Sequence, residues 1–407
     1  MNCRTCGSQG LYKFLDLGFT PPADRFLREE QLLEPEVHYP LAVLMCERCG
    51  LAQLSHVVSP ELLYQQDYPY EASITKTGRI HWAEFAQTTK EQFNLGANDL
   101  VIDIGSNVGV LLNAFKDLGV RTLGIEPAGN IAQIAEKQGI ETVNEFFGID
   151  VARKIVNDRG QASVITGTNV FAHVDDLMSF MKAVDILLNP DGVLIIEAPY
   201  FSNLIDLLEY DTIYHEHLSY LSIKPLMTFF DRLGMEIFRI EQRDIHGGSF
   251  RVHVARAGKK QVSSEVKELL QAEQEKGVHS PEVLAQFSKR VEENRGDLNW
   301  LLHKLKREGK RIAAASAPAK GMTLLNYCRL GRETLDFVTE KSTLKIGRFT
   351  PGMHLPVVSD DELLEQMPDY ALLLAWNFAD EIINNLAEYR ARGGKFIIPI
   401  PTPRIVA

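Results

Sequence analysis

Leu100-Val101-Ile102-Asp103-Ile104-Gly105-Ser106-Asn107-Val108-Gly109 is an apolar run of strand length that breaks into a glycine-spaced turn. Residues 100–104 predict a buried strand, and residues 110–118 carry apolar side chains at helical spacing. A strand that feeds a helix through glycines leaves the first helical N–H groups unpaired and lets a ligand approach the backbone. Gly105 and Gly109 supply that freedom. Glu126 follows the next expected strand, residues 122–125, where a carboxylate can hold ribose hydroxyls. The stretch therefore predicts a seat for an adenosine-type cofactor above a parallel sheet.

Outward from this turn, strands and helices alternate. A helix is expected over residues 131–137, with strands at 142–143, 164–167 and 193–197. Such interleaving implies a parallel, doubly wound sheet. Its end differs, because the strand-like runs 236–243 and 249–256 are separated by too few residues for a parallel crossover and must form a hairpin. A helix is expected before the sheet, over residues 74–93, and a Glu/Lys-rich helical tract after it, over residues 262–306, as linker or bracket. A second α/β unit begins at Arg311, with strands at 312–315, 334–338, 371–375 and 395–399 and a helix at 380–392.

The 407-residue length suits two or three domains. No apolar run approaches membrane-spanning length, and Met1-Asn2-Cys3-Arg4 opens no apolar signal core, so no membrane partner and a cytoplasmic location are expected. A net charge of −11 disfavours a nucleic-acid surface, which needs clustered cations. Four of the five cysteines form two C-x-x-C pairs, Cys3 with Cys6 and Cys46 with Cys49. Four thiolates at that spacing predict a closed, tetrahedral, structural zinc site. Cys328 is left as a buried small hydrophobe.

Three details choose the cofactor. Asn107 occupies the place of the middle glycine that a pyrophosphate needs, Asp103 puts an acid in the strand before the turn, and the closing hairpin fits a seven-strand methyltransferase sheet. S-adenosylmethionine is the expected cofactor, with a nicotinamide oxidoreductase as the competing reading. Asn144 is placed to meet the adenine, Phe146 or Phe147 to pack on its face, and Asn169 and His173 to follow the fourth strand at the ligand-binding edge. The expected fold class is α/β: a small N-terminal zinc-binding domain (1–75), a central class I, seven-strand, doubly wound methyltransferase domain (76–258), a helical linker (259–308) and a C-terminal Rossmann-like domain (309–407).

Tyr214-His215-Glu216-His217, with Tyr220 nearby, gathers titratable groups beyond the fifth strand. Methylating carbon requires a base for a C–H proton and a group that stabilises the enolate, tasks suited to histidine and tyrosine. The competing readings are an interfacial loop, or a metal site at His215 and His217 that lacks a third ligand. Asp67-Tyr68-Pro69-Tyr70 and His246-Gly247-Gly248-Ser249 are placed near the same cleft.

The order of paired cysteines, the 103–109 turn, Tyr214-His215-Glu216-His217, and Ala319-Lys320-Gly321 near Asn326-Tyr327-Cys328 resembles the zinc-containing sugar-nucleotide C-methyltransferases over essentially the whole chain. That resemblance implies C3 methylation of an NDP-linked, dTDP- or otherwise, 4-keto-deoxysugar. It also implies His217 as base, with Tyr214, Glu216, His173 and Tyr68 around the sugar. The family's turn often carries Asp where this chain has Val108. Tyr70, Lys320, Lys345 and Arg348 are the expected substrate and phosphate contacts, and a monomer or weak dimer is expected. O-methylation of a small molecule or glycan, and a zinc-ribbon module acting on RNA, are the remaining alternatives.

Overall fold

The strands arise where the sequence offers uninterrupted or alternating apolar runs, and their ends fall on glycines, prolines and charged turns. The structure, a computed structural model, describes residues 1–65, 68–72, 76–244 and 247–407; Asp67 and His246 lie outside the described residues. In chain order the strands are β1 (Leu11–Thr20), β2 (Tyr39–Cys46), β3 (Ala52–Leu54), β4 (Leu100–Ile104), β5 (Arg121–Ile125), β6 (Thr142–Val143), β7 (Ala162–Thr168), β8 (Leu188–Pro199), β9 (Ser219–Tyr220), β10 (Met235–Arg243) and β11 (Ser249–Arg256). They continue as β12 (Ile312–Ala315), β13 (Val338–Glu340), β14 (Val357–Ser359), β15 (Tyr370–Leu373), β16 (Lys395–Ile398) and β17 (Arg404–Val406).

The central sheet runs β10-β11-β8-β7-β4-β5-β6. Every residue of β4 is buried, as a strand covered by helices on both faces must be. Strands β8 to β4 to β6 are parallel, and β11 pairs antiparallel with both β8 and β10, so the expected hairpin closes one edge. Strand order reverses at the β4/β7 junction, the topological switch point where α/β sheets bind ligands. The C-terminal sheet runs β14-β13-β12-β15-β16-β17 and has its own switch point between β12 and β15. Residues just past β4, β7, β12 and β15 line one shared cleft.

The N-terminal sheet, β1-β2-β3-β9, takes its last strand from the stretch that follows the Tyr214-to-His217 turn. Ala52 pairs with Tyr220 and Gln53 with Ser219, which fastens that turn to the cysteine-bearing unit.

Three sequence expectations shift. The strand expected at 334–338 is only Val338–Glu340, because Thr334 and Leu335 turn back to hydrogen-bond the Gly331 carbonyl. The tract 262–306 is two helices, Ser264–Lys276 and Pro281–Arg307. Gly277 ends the first at φ +62°, and the Ser280 hydroxyl caps the second by accepting from Val283 N. The helix at 380–392 divides into Ala379–Asn385 and Ala387–Ala391. Strands β1, β2, β3, β9, β14 and β17 have no counterpart in the sequence reading. No described helix is long and apolar enough to cross a membrane.

Candidate active site

The cleft encloses about 700 Å³, within the usual range for a small-molecule site. One side is built on the β4 turn. Gly105 takes φ +66°, and its N–H donates to the Ile125 carbonyl at 2.7 Å, which turns the chain across the end of β5. A Cβ there would stand 2.4 Å from Val170 Cγ2, so only glycine fits. Glu126 lines the cleft with its carboxylate fixed from two sides: Asn107 N–H donates to Oε2 at 2.9 Å and Ala128 N–H to Oε1 at 2.8 Å. Each oxygen retains a second lone pair for a ribose hydroxyl. Asp103 also lines the cleft and accepts the Thr166 hydroxyl at 2.6 Å; burial pushes its carboxyl up to about 7. Phe146, Phe147 and Asn169 reach the same space, with Asn169 held at φ +57° as β7 ends.

Asn107 does something the sequence did not disclose. Its amide accepts from Ala72 N–H at 2.9 Å and donates to the Tyr70 carbonyl at 3.0 Å, so it clamps residues 68–72 over the cofactor side. Asn130 adds a second clamp, donating to the Tyr68 carbonyl at 2.8 Å.

The facing wall carries the titratable cluster. His217, Tyr214, Glu216, His173, Tyr68 and Tyr70 all line the cleft. His217 Nδ1 lies 2.8 Å from the Thr212 carbonyl. A carbonyl only accepts, so Nδ1 carries the hydrogen, and whenever the ring is neutral its lone pair falls on Nε2. Tyr214 and His173 flank that ring, with centroids 4.0 and 4.9 Å away. His173 faces the Tyr64 hydroxyl at 3.1 Å, and burial next to His217 drives its pKa well below the usual imidazole range. Burial, reinforced by the Glu216 and Asp24 carboxyls, holds the Tyr64, Tyr68 and Tyr214 hydroxyls well above the ordinary phenol range, and burial takes Tyr70 to about 12. These phenols are neutral donors at physiological pH. Glu216 accepts the Tyr68 hydroxyl at 3.3 Å, and burial beside Asp24 raises its carboxyl well above the usual range.

Some expected site residues lie elsewhere. Gly109 does not line the cleft; it begins the following helix at φ +80°, packed against Ile140. Asn144 is likewise off the cleft, its amide donated to the Glu126 backbone carbonyl at 2.7 Å. His215 turns its ring to Tyr39 of β2, away from the cleft. Arg348 stands outside the lining, on a segment whose backbone pairs with Val357. Lys320 and Lys345 do line it, yet each ammonium already faces a buried carboxylate. Lys320 lies 3.6 Å from Asp211 and over the Trp376 ring, and Lys345 lies 3.6 Å from Asp24. Sequence reasoning missed Asp24, Tyr64, Asn130 and Ser316. Asp24 follows Pro21-Pro22-Ala23, a loop signature that says nothing of where the loop lands.

The four paired cysteines converge as expected, with sulfurs all within 4.8 Å of one another. Cys3 and Cys49 sulfurs are 3.5 Å apart and those of Cys6 and Cys46 3.6 Å. Zn–S bonds of about 2.3 Å in a tetrahedron imply sulfur separations of roughly 3.8 Å, so the cage fits zinc closely. All four positions are filled by protein, which makes the site structural.

A seven-strand doubly wound sheet with a closing hairpin, a glycine turn and an acid after the second strand define a class I S-adenosylmethionine-dependent methyltransferase. Family profiles match in three consecutive stretches: a zinc binding domain over residues 3–64, a methyltransferase domain over 80–239 and a C-methyltransferase C-terminal domain over 244–401. C-methyltransferase NovU of Streptomyces niveus is 36% identical over 406 residues, spanning 100% of this chain and 96% of that one. This chain belongs to the S-adenosylmethionine-dependent C-methyltransferase family, with a structural zinc domain. Ubiquinone biosynthesis O-methyltransferase of Bordetella avium (strain 197N) is 29% identical over 94 residues, covering 23% of this chain and 39% of its own. Magnesium protoporphyrin IX methyltransferase of Synechocystis PCC 6803, solved with bound S-adenosylhomocysteine, is 14% identical with a TM-score of 0.35, covering 46% of this chain and 90% of its own.

Proposed function

We propose that the enzyme methylates C3 of an NDP-linked 4-keto-deoxysugar through an enolate, with His217 as the base. The observation that carries this reading is the hydrogen bond from His217 Nδ1–H to the Thr212 carbonyl, which makes Nε2 the basic nitrogen of the neutral ring, in a side chain that lines the cleft among neutral phenols. A 4-keto group acidifies the neighbouring C3–H. His217 Nε2 takes that proton, and the C–H electrons pass into the C3–C4 bond and onto the carbonyl oxygen. The neutral hydroxyl of Tyr214, which lines the cleft, donates to that oxygen, the kind of preorganised stabilisation that dominates such barriers, while Tyr68 gives its hydrogen to Glu216. When bound, S-adenosylmethionine would supply an electrophilic sulfonium methyl, to which the enolate electrons form the new C3–C bond as the S–C bond breaks and leaves its pair on a neutral thioether. On this chain Glu126, Gly105, Asp103, Phe146 and Asn169 hold the cofactor. Tyr70 closes over the site, and the residues past β12, with Lys320 and Lys345 at their margin, offer the seat for the nucleotide.

The test is to react the enzyme with a dTDP-4-keto-deoxysugar and methyl-labelled cofactor and map the label by NMR. A label on C3 supports the reading, and a label on a hydroxyl oxygen replaces it with O-methylation. His217→Ala is expected to cut methyl transfer by at least a thousandfold, while calorimetric affinity for S-adenosylmethionine stays within a few-fold. Equal loss of both would remove His217 as base.

A further inference from the structure

Two carboxyl groups and one ammonium are shut into the same wall of the cleft, and their charges cancel only if one proton stays behind. Asp24 belongs to the loop after β1, Glu216 to the turn before β9, and Lys345 to the segment after β13. The Asp24 and Lys345 side chains are 5% and 6% exposed, with Nζ 3.6 Å from Oδ1. Lys345 spends its hydrogen bond on the Ala317 carbonyl at 2.8 Å, and Asp24 Oδ1 accepts none among the described residues. Asp24 and Glu216 both line the cleft, and they share a second, water-sized pocket behind it with Arg25 and Pro69.

Charge in a dry wall is tolerated only when paired, and an unpaired acid keeps its proton instead. Lys345 stands 3.6 Å from Asp24, so of the two acids Asp24 is the one with a cation against it, and Glu216 has none in ion-pair range among the described residues. Glu216 accepts the Tyr68 hydroxyl at 3.3 Å, shares the small pocket with Asp24, and lines the cleft with Tyr64, Tyr214, His173, His217 and Lys345. Arg25, exposed at the far side of the small pocket, is solvated.

We propose that Asp24 and Lys345 form a positioning pair, supplied by the N- and C-terminal regions, that keeps Glu216 protonated so that it presents an O–H to the substrate oxygen where charge develops. This rests on the C-methylation reading for its purpose, but not for its physics. Asp24 and Lys345 touch no reacting atom; they act through Glu216.

The first measurement needs no substrate. Difference infrared spectroscopy of the wild-type holoenzyme against Glu216→Gln at pH 7 is expected to show the carbonyl band of a protonated carboxyl, lost in the variant. Asp24→Asn is expected to convert that band to carboxylate, because Lys345 is left with Glu216 as its partner. In turnover, the alkaline limb of the kcat/KM profile should move to lower pH by one unit or more in Asp24→Asn. It should move to higher pH in Lys345→Met, which leaves the two acids facing each other without a cation. The two variants shift in opposite directions, so one that fails to fold leaves the other decisive. An absent wild-type band, or activity lost with an unmoved pH limb, overturns the proposal. A methyl group mapped to oxygen would overturn the C-methylation reading alone and leave the infrared result standing.

Discussion

His215 and His217 sit two residues apart and face opposite ways. His217 looks into the cleft with its tautomer set by Thr212, whereas His215 packs against Tyr39, 1% exposed, with its pKa pushed down to about 4 by burial. Between about pH 4 and 6.5 the unfolded chain binds a proton at His215 that the folded chain refuses, so this group's contribution to stability rises with pH across that window. The span is worth roughly 3.5 kcal/mol, the product of the shift and about 1.4 kcal/mol per unit. In urea titrations from pH 4.5 to 7, His215→Gln is expected to flatten the acid side of the stability profile, and an unchanged slope would contradict the assignment. Gly105 is the other residue-scale lever. Gly105→Ala forces a side chain into φ +66° against Val170, and a loss of roughly 1–3 kcal/mol in stability is expected together with weaker cofactor binding by calorimetry. The glycine was legible because its neighbours in sequence are its neighbours in space. The opposed histidines were not, because which one faces the cleft depends on β9 joining a sheet formed far away in the chain.

At the scale of elements, the zinc cage and the reactive turn are one construction. β2 and β3 flank the second cysteine pair, β3 pairs with β9, and Leu54 N–H donates to the Leu218 carbonyl next to His217. Arg4, between Cys3 and Cys6, donates to both the Leu54 and Leu218 carbonyls and so ties the first knuckle to the same turn. Stripping zinc with a strong chelator is expected to abolish methyl transfer and lower the Tm, with much smaller loss of S-adenosylmethionine affinity because the β4 turn stands on a separate sheet. Proportional loss of both, followed by metal analysis and calorimetry, would rule out this division. The long alternating elements and the C-x-x-C pairs could be read from sequence because their patterns are local. A two-residue strand such as β9 has no periodicity to detect. The break at Gly277 did have a signal, since Gly277 and Ser280-Pro281 spell a helix stop and start, but the charge-rich apolar spacing on either side masked it.

Across the whole molecule, the N-terminal and C-terminal regions close over the cleft and hold each other. Leu27 and Phe349 exchange backbone hydrogen bonds, Glu36 accepts from Gly352 N–H and His354, and Asp24 faces Lys345. Beneath these ties one apolar core joins Leu15 and Val43 of the first sheet, Leu284, Phe287, Val291, Leu298 and Leu302 of the helix Pro281–Arg307, and Ile312, Val338 and Leu372 of the last sheet. The central sheet has a separate core around Ile102, Ile165 and Leu194. Each large apolar side chain uncovered costs about 1.5–3 kcal/mol, so the helix's five residues alone are comparable to the whole margin of an ordinary domain. Deleting residues 309–407 should therefore melt more than it removes. In the 1–308 fragment, hydrogen exchange is expected to become fast in β1, β2 and the helix Pro281–Arg307 while β4, β7 and β8 remain protected. Protection of β1 and β2 equal to that in the full chain would mean that the N-terminal sheet stands without its partner. The architecture argues otherwise, because the helix that carries the first sheet's core is held in place by the last one.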